Sequence, residues 1–278
     1  MIRAVFLFFL LFPGEVCAQL FQKESQKEKN LPPFSETFVR FSSRERDRVV
    51  TDFGNLYDRN DAKNYGLALL GASILANTSM DAHFQNWHDK HIRSGFTDEL
   101  GKVSKVFGEG IIFVPVIAAS AGVYRFRQER RGLPDCPFGE FADRTTRGYL
   151  VGAPTLIVFQ SVLGADRPHD GSQWKPFQND KGVSGHAFIG AVPFITAAQM
   201  TDRPCAKGLF YALSTIPAWS RVNDDAHYLS QVLLGWYLAY LSVRAVTETE
   251  ERSPLPKGLT LFPVADGVSV GIGLHYRY

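Results

Sequence analysis

The chain has no surplus of charge of either sign. Its 278 residues carry 30 Lys and Arg against 28 Asp and Glu, a formal charge of +2. Lacking a basic excess, it lacks the electrostatic footprint of a nucleic-acid-binding protein, and lacking an acidic tail, it has no solvating segment of that kind. The 24 Gly and 15 Pro are too few for a collagen-like or disordered chain. Internal repeats and low-complexity tracts are not evident. Cysteine is scarce, at three residues. What the sequence does have is apolar material: 45% hydrophobic residues, with 22 Phe, 10 Tyr and 4 Trp, at a mean hydropathy of −0.10. The length suffices for one large core or two small ones, and the hydropathy leaves open whether that core stands in water or in a membrane.

The first segment reads as a secretory signal peptide. Met1-Ile2-Arg3 is a short positive start, residues 4–13 are an apolar run of signal-core length, and Val16 and Ala18 flank Cys17 as small residues before a cleavage point at Gln19. The run is shorter than the ~20 residues needed to span a bilayer, which disfavours an uncleaved anchor. Glu15 and Val16 disfavour a lipoprotein signal. Removal of residues 1–18 leaves Cys136 and Cys205, an even pair in an oxidising compartment, so a Cys136–Cys205 disulfide is expected, with two separate thiols as the alternative.

Residues 19–63 are polar and charge-rich, a tail with at most one short helix lying on the body. From residue 64 six apolar stretches follow, at about 65–77, 106–123, 148–165, 186–200, 208–219 and 228–246. Their lengths and small, Leu-rich composition favour helices, and the fold class expected is mainly α, a six-helix bundle over residues 64–250. Most of these stretches fall short of 18 continuous apolar residues, and Glu109, Gln160 and Gln199 interrupt them. A periplasmic body with buried helices is preferred over a protein with six spans. Residues 251–278 change period: two β-prone runs flank Asp266-Gly267, a pair suited to a type I′ turn, and predict a short C-terminal hairpin.

Three clusters place cationic and imidazole groups at helix ends. Arg167-Pro168 closes the third stretch. Ser184-Gly185-His186 opens the fourth, with Ser184 as a candidate N-cap and Gly185 allowing close backbone approach. Ser220-Arg221, with five residues to His227, leads into the sixth, and Gln231 lies one turn beyond. Each alone is ordinary: a solvated cap, a turn, a satisfied histidine. In an antiparallel bundle, however, these ends share one face. Guanidinium groups, a hydroxyl and free helix N–H groups suit a tetrahedral oxyanion, above all phosphate, and two histidines suit attack on phosphorus and protonation of the leaving oxygen.

The order and spacing of these clusters resemble the three signature motifs of the type 2 phosphatidic acid phosphatase and vanadium haloperoxidase superfamily, over roughly residues 64–246. The resemblance implies a helical core around a phosphate or vanadate site, with His227 as the nucleophile forming a phosphohistidine and His186 as the general acid. Arg167, Ser184, Gly185 and Arg221 would hold the phosphoryl oxygens. Three positions depart from the family pattern: Gln160 stands where it has Lys, Val183 where it has Pro, and Gln231 where it has the Asp that orients the nucleophilic His. At i+4 from His227, Gln231 can accept the imidazole N–H and keep the tautomer but supplies no charge. Gln160 leaves one phosphate contact weaker, for which Lys175 or Lys181 are candidate substitutes.

The function this implies is a phosphatase acting on a phosphomonoester or pyrophosphate in the cell envelope, a lipid phosphate being one such substrate. It requires no metal and no cofactor, because the arginines neutralise the charge. The alternatives are a catalytically impaired relative that binds phosphate-bearing lipid or has a structural role, and a haloperoxidase. The implied partners are a phosphorylated substrate and a membrane surface or bilayer, with no nucleic acid. The segment His83–His91 is expected to be a loop on the active-site side, either a substrate lid or a hydrated connection. The spacing of its His83, His88 and His91 matches no common zinc pattern.

Overall fold

The computed structural model describes residues 31–252, apart from 133 and 169, and the backbone of residues 259–265 and 270–276. The expected signal peptide and the Asp266-Gly267 turn lie outside the described residues. Nine helices occur among the described residues: α1 (Phe34–Leu56), α2 (Arg59–Asn77), α3 (Met80–His91), α4 (Gly95–Glu109), α5 (Phe113–Arg131), α6 (Pro137–Leu163), α7 (Gly185–Gln199), α8 (Pro204–Asn223) and α9 (Leu229–Glu251). Two strands, β1 (Leu259–Ala265) and β2 (Val270–Tyr276), pair antiparallel with Leu259 opposite Tyr276.

The helix α7 is apolar on every side, and such a helix has no face to give to water. It sits at the centre, buried from Ala187 through Ala198 apart from Ile189, and packs against α4, α6, α8 and α9. Two glycines set how closely its neighbours come. A Cβ on Gly190 would lie 2.4 Å from the Pro217 Cβ of α8, and one on Gly235 of α9 would lie 2.4 Å from the Ser184 carbonyl oxygen. The starts of α7 and α9 therefore meet at backbone distance.

The six-helix expectation undercounts the body, for three physical reasons. The stretch 106–123 is two helices: Gly110, at φ +65°, ends α4, and α5 restarts at Phe113 with a bend of 43°. The segment His83–His91 is no loop but most of α3, whose buried positions Asp81, Gln85 and His88 are polar and leave no apolar stripe. Residues 19–63 hold a helix of 23 residues, α1, whose docked side joins a charged face at Arg48 and Asp52 to apolar Phe53 and Leu56.

That charged face is an ion network. Arg147 of α6, almost fully buried, grips the wholly buried Asp52 of α1, with Nε donating to Oδ2 at 2.7 Å. Arg48 of α1 reaches Asp143 of α6 at 2.7 Å and Glu250 of α9 at 2.6 Å, and Arg125 of α5 meets Asp143 at 2.7 Å. Burial alone would raise the Asp143 carboxyl, but Arg125, Arg48 and Arg147 outweigh it and hold it well below the usual carboxylate range. A cavity of about 220 Å³ beside the network is lined by arginines already engaged by carboxylates.

Among the described residues α9 is the one helix long and apolar enough to cross a membrane, with 67% of its apolar window buried in the body; α4 and α5 pass the same test together as a bent pair. The surface carries apolar side chains on α2 (Leu67, Leu70, Ile74) and along α6 (Leu150, Ile157, Val158, Val162).

Removing one partner of a buried ion pair leaves the other charge stranded, a loss of about 3–5 kcal/mol. Arg147→Met is accordingly expected to lower unfolding free energy by that order in urea titration. Loss of the exposed Arg40–Glu36 pair through Arg40→Met should change it by less than about 1 kcal/mol.

Candidate active site

Three chain segments converge on the amide of Gln231, on the first turn of α9. Its Oε1 accepts from His227 Nδ1 at 2.7 Å and from the Tyr228 backbone N–H at 3.2 Å, while its Nε2 donates to the Asp166 carbonyl at 2.9 Å. Its own carbonyl accepts the Ser184 N–H at 3.0 Å. The Tyr228 N–H needs an acceptor and the Asp166 carbonyl needs a donor, so the amide has a single workable orientation. The proton of His227 is thereby fixed on Nδ1, which leaves the Nε2 lone pair free.

Arg221 stands beside this imidazole, and Arg167 stands near enough to act on Arg221. Arg221 lies in the last turn of α8, where a cation complements the helix dipole. Its carbonyl accepts both the Ala226 and the His227 N–H, at 2.9 and 3.2 Å, folding the corner so that Arg221 and His227 are neighbours. Its Nη1 donates to Asp224 at 3.0 Å, but its Nε is buried with no partner. Burial first, and then the nearby charge of Arg167, lower its pKa. Arg167 is exposed, and its guanidinium makes no hydrogen bond or ion pair among the described residues. Two guanidinium groups that repel each other, one with an orphaned donor, are chemically complementary to an anion.

Both histidines are neutral at neutral pH. Burial is the main cause for His227, whose pKa falls to about 4; the Gln231 hydrogen bond opposes it, and the charge of Arg221 adds to it. Burial and then Arg221 also lower His186 from its ordinary 6.5, partly offset by Glu109. Ser184, fully buried, N-caps α7 by accepting the Ala187 N–H at 3.3 Å. Gln160 donates to the Val183 carbonyl at 3.1 Å, and its Nε2 would lie 3.3 Å from a Cβ on Gly185. It thus tethers the loop in front of Ser184. Of the two candidate lysines, Lys175 is held by Asp166, whereas Lys181 is close enough for its charge to depress His227.

Residues 149–253, which contain all three clusters, match the family model of the PAP2 superfamily. The match supports the PAP2 superfamily for this segment, which is less than half of the chain. No curated protein and no solved structure matches the chain.

The PAP2 segment does not account for the whole surroundings of the site. From α4, Gly108 lies so close to His186 that a Cβ would stand 2.8 Å from the His186 carbonyl oxygen, and Glu109 and Lys105 act on its charge. Neither contact could be read from the sequence, because α4 is an ordinary amphipathic helix there. His83 and His91 turn back onto their own helix carbonyls, of Ser79 and Trp87, and His88 is buried against Trp219, so the three do not converge. The expected Cys136–Cys205 disulfide is corrected: Cys205 is a free thiol, exposed in the first turn of α8, at the end of the PAP2 segment's helices away from the histidines.

Observed by NMR, the His227 imidazole is expected to titrate near pH 4 instead of 6.5. Inorganic phosphate, by placing negative charge beside it, favours the protonated form and should move that midpoint upward. A midpoint unmoved by phosphate would place the anion elsewhere.

Proposed function

We propose that the protein is a phosphatase that cleaves a phosphomonoester or pyrophosphate through a phosphohistidine at His227. The observation that carries this reading is a neutral imidazole with a fixed tautomer standing beside Arg221, whose buried Nε lacks a partner. In the first step His227 Nε2 bonds to phosphorus as the bond to the leaving oxygen breaks, and that oxygen takes the proton of His186. In the second, water attacks phosphorus, His186 accepts its proton, and the N–P bond breaks to free His227 and phosphate. Arg167, Arg221 and the N–H groups at the start of α7 hold the phosphoryl oxygens, with Ser184 and Gly185 shaping that cradle and Gln160 bracing it. The arginines supply the positive charge this transfer needs, so the reading calls for no metal or cofactor.

Gln231 retains the geometry of the hydrogen bond but gives no charge to the imidazolium-like phosphohistidine. This favours slow turnover, and it also supports a second reading, a phosphate-binding relative with impaired chemistry. The exposed apolar residues of α2 and α6 support a place against lipid, in the cell envelope, and a lipid phosphate as one substrate class. Within the envelope we favour a periplasmic body resting on the membrane.

Release of inorganic phosphate from a panel of phosphate esters separates the two readings, with His227→Ala as the control expected to abolish it. Activity that persists in His227→Ala would exclude the nucleophile. The pH dependence of kcat/KM should be a bell in mild acid: activity rises as His227 loses its proton near pH 4 and falls as His186 loses its own below 6.5. Gln231→Asp adds a carboxylate that favours the charged imidazole, so the acid limb should shift upward and kcat increase. Gln231→Leu should cost up to about 10⁴-fold, the scale of losing tautomer control in a Ser-His-Asp triad.

A further inference from the structure

The corner between α8 and α9, which carries Arg221 and His227, is gripped from outside the PAP2 segment by one face of α3. Asp81, Gln85 and His88 follow one another at helical spacing along that face, and all three are buried. The Asp81 carboxylate accepts the Ser230 backbone N–H, at 3.0 Å, and its hydroxyl, at the start of α9. His88 Nε2 accepts from Trp219 Nε1 at 3.2 Å near the end of α8. Between them, Gln85 Nε2 donates to the Val222 carbonyl at 3.1 Å and to Asp225 Oδ1 at 2.8 Å, and Arg93 pairs with the other oxygen of Asp225.

Asp225 is the strained point of the corner. Its φ of +50° lies in the left-handed region, which L residues other than glycine adopt at a cost and keep when their surroundings enforce it. That conformation lets the chain turn back so that the Ala226 and His227 N–H groups reach the Arg221 carbonyl. Gln85 itself is held at a loss. Its Oε1 is buried without a hydrogen-bond partner, while its Nε2 is surrounded by acceptors, so the amide serves for its donors alone.

We propose that Gln85 is a positioning residue for the reaction at His227: by holding Asp225 in its left-handed turn, it keeps the His227 imidazole aligned with Arg221 and the bound phosphate. The proposal rests on the phosphatase reading above. It adds a part of the machinery contributed by α3, ahead of the family-matched segment. Gln85 touches no reacting atom and acts through the backbone of the corner.

The test uses the full-length protein and p-nitrophenyl phosphate. Gln85→Met keeps the volume and removes both donors; it should lower kcat by about a hundredfold, the scale of an ångström-sized misplacement. The affinity for inorganic phosphate, held also by Arg167 and the start of α7, should change less than about threefold. Adding Asp225→Gly, which lets the turn form without enforcement, should recover most of kcat in the Gln85→Met background. An unchanged kcat in folded Gln85→Met overturns the proposal. So does a loss of kcat that Asp225→Gly fails to restore while the thermal midpoint falls in parallel, which is the behaviour of a purely structural contact. A wild-type protein that releases no phosphate instead overturns the phosphatase reading, and the positioning role falls with it.

Discussion

One buried amide holds the candidate site together. Through its side chain Gln231 binds the imidazole of His227 and the backbone at Asp166, and through its carbonyl it binds the backbone at Ser184. Each contact belongs to a different stretch of the chain, so a shift in any of them is felt by the other two. The close crossing at Gly235, which admits the Ser184 carbonyl against α9, makes this junction possible. A larger residue there would part α7 from α9 and pull Ser184 away from Gln231.

The amide is also an electrostatic compromise. Arg221 and Lys181 both disfavour a charge on the deeply buried His227, while each is itself paired with a carboxylate, Arg221 with Asp224 and Lys181 with Asp180. The Arg167 guanidinium is the site's cation left without an ion pair among the described residues, and on the proposed reading it is the charge an incoming anion would meet. On the phosphatase reading proposed above, affinity for the anion and stabilisation of the covalent intermediate would be set by different residues: the arginines would favour binding, and a neutral amide at position 231 would limit how far the phosphorylated imidazole is stabilised.

The parts of the molecule legible in the sequence were those that announce themselves by apolar content or by spacing. The all-apolar α7, the Ser184 cap, and the i, i+4 relation of His227 and Gln231 each follow from local pattern. The elements that were not legible bury polar groups. In α3 the inward residues are Asp81, Gln85 and His88; in the first half of α6 they include Asp143 and Arg147; in α1 they include Asp52 and Asn55. A polar residue is ordinarily read as solvated, and its partner many residues away is invisible until the fold is known. The disulfide expectation failed for a related reason, since counting cysteines says nothing about which side of a helix turn faces water.

The docking of α1 has a consequence for the order of assembly. Arg48 and its partner Glu250 are 202 residues apart, so the helix that emerges early during synthesis completes its seat only after the last helix of the bundle has emerged. An apolar helix left waiting that long would expose a surface prone to aggregation. The docked face of α1 carries Arg48 and Asp52 beside apolar Phe53 and Leu56, so the unattached helix exposes a short apolar end where a wholly apolar face would expose its full length, and the ion network acts as a latch closed at the end of folding.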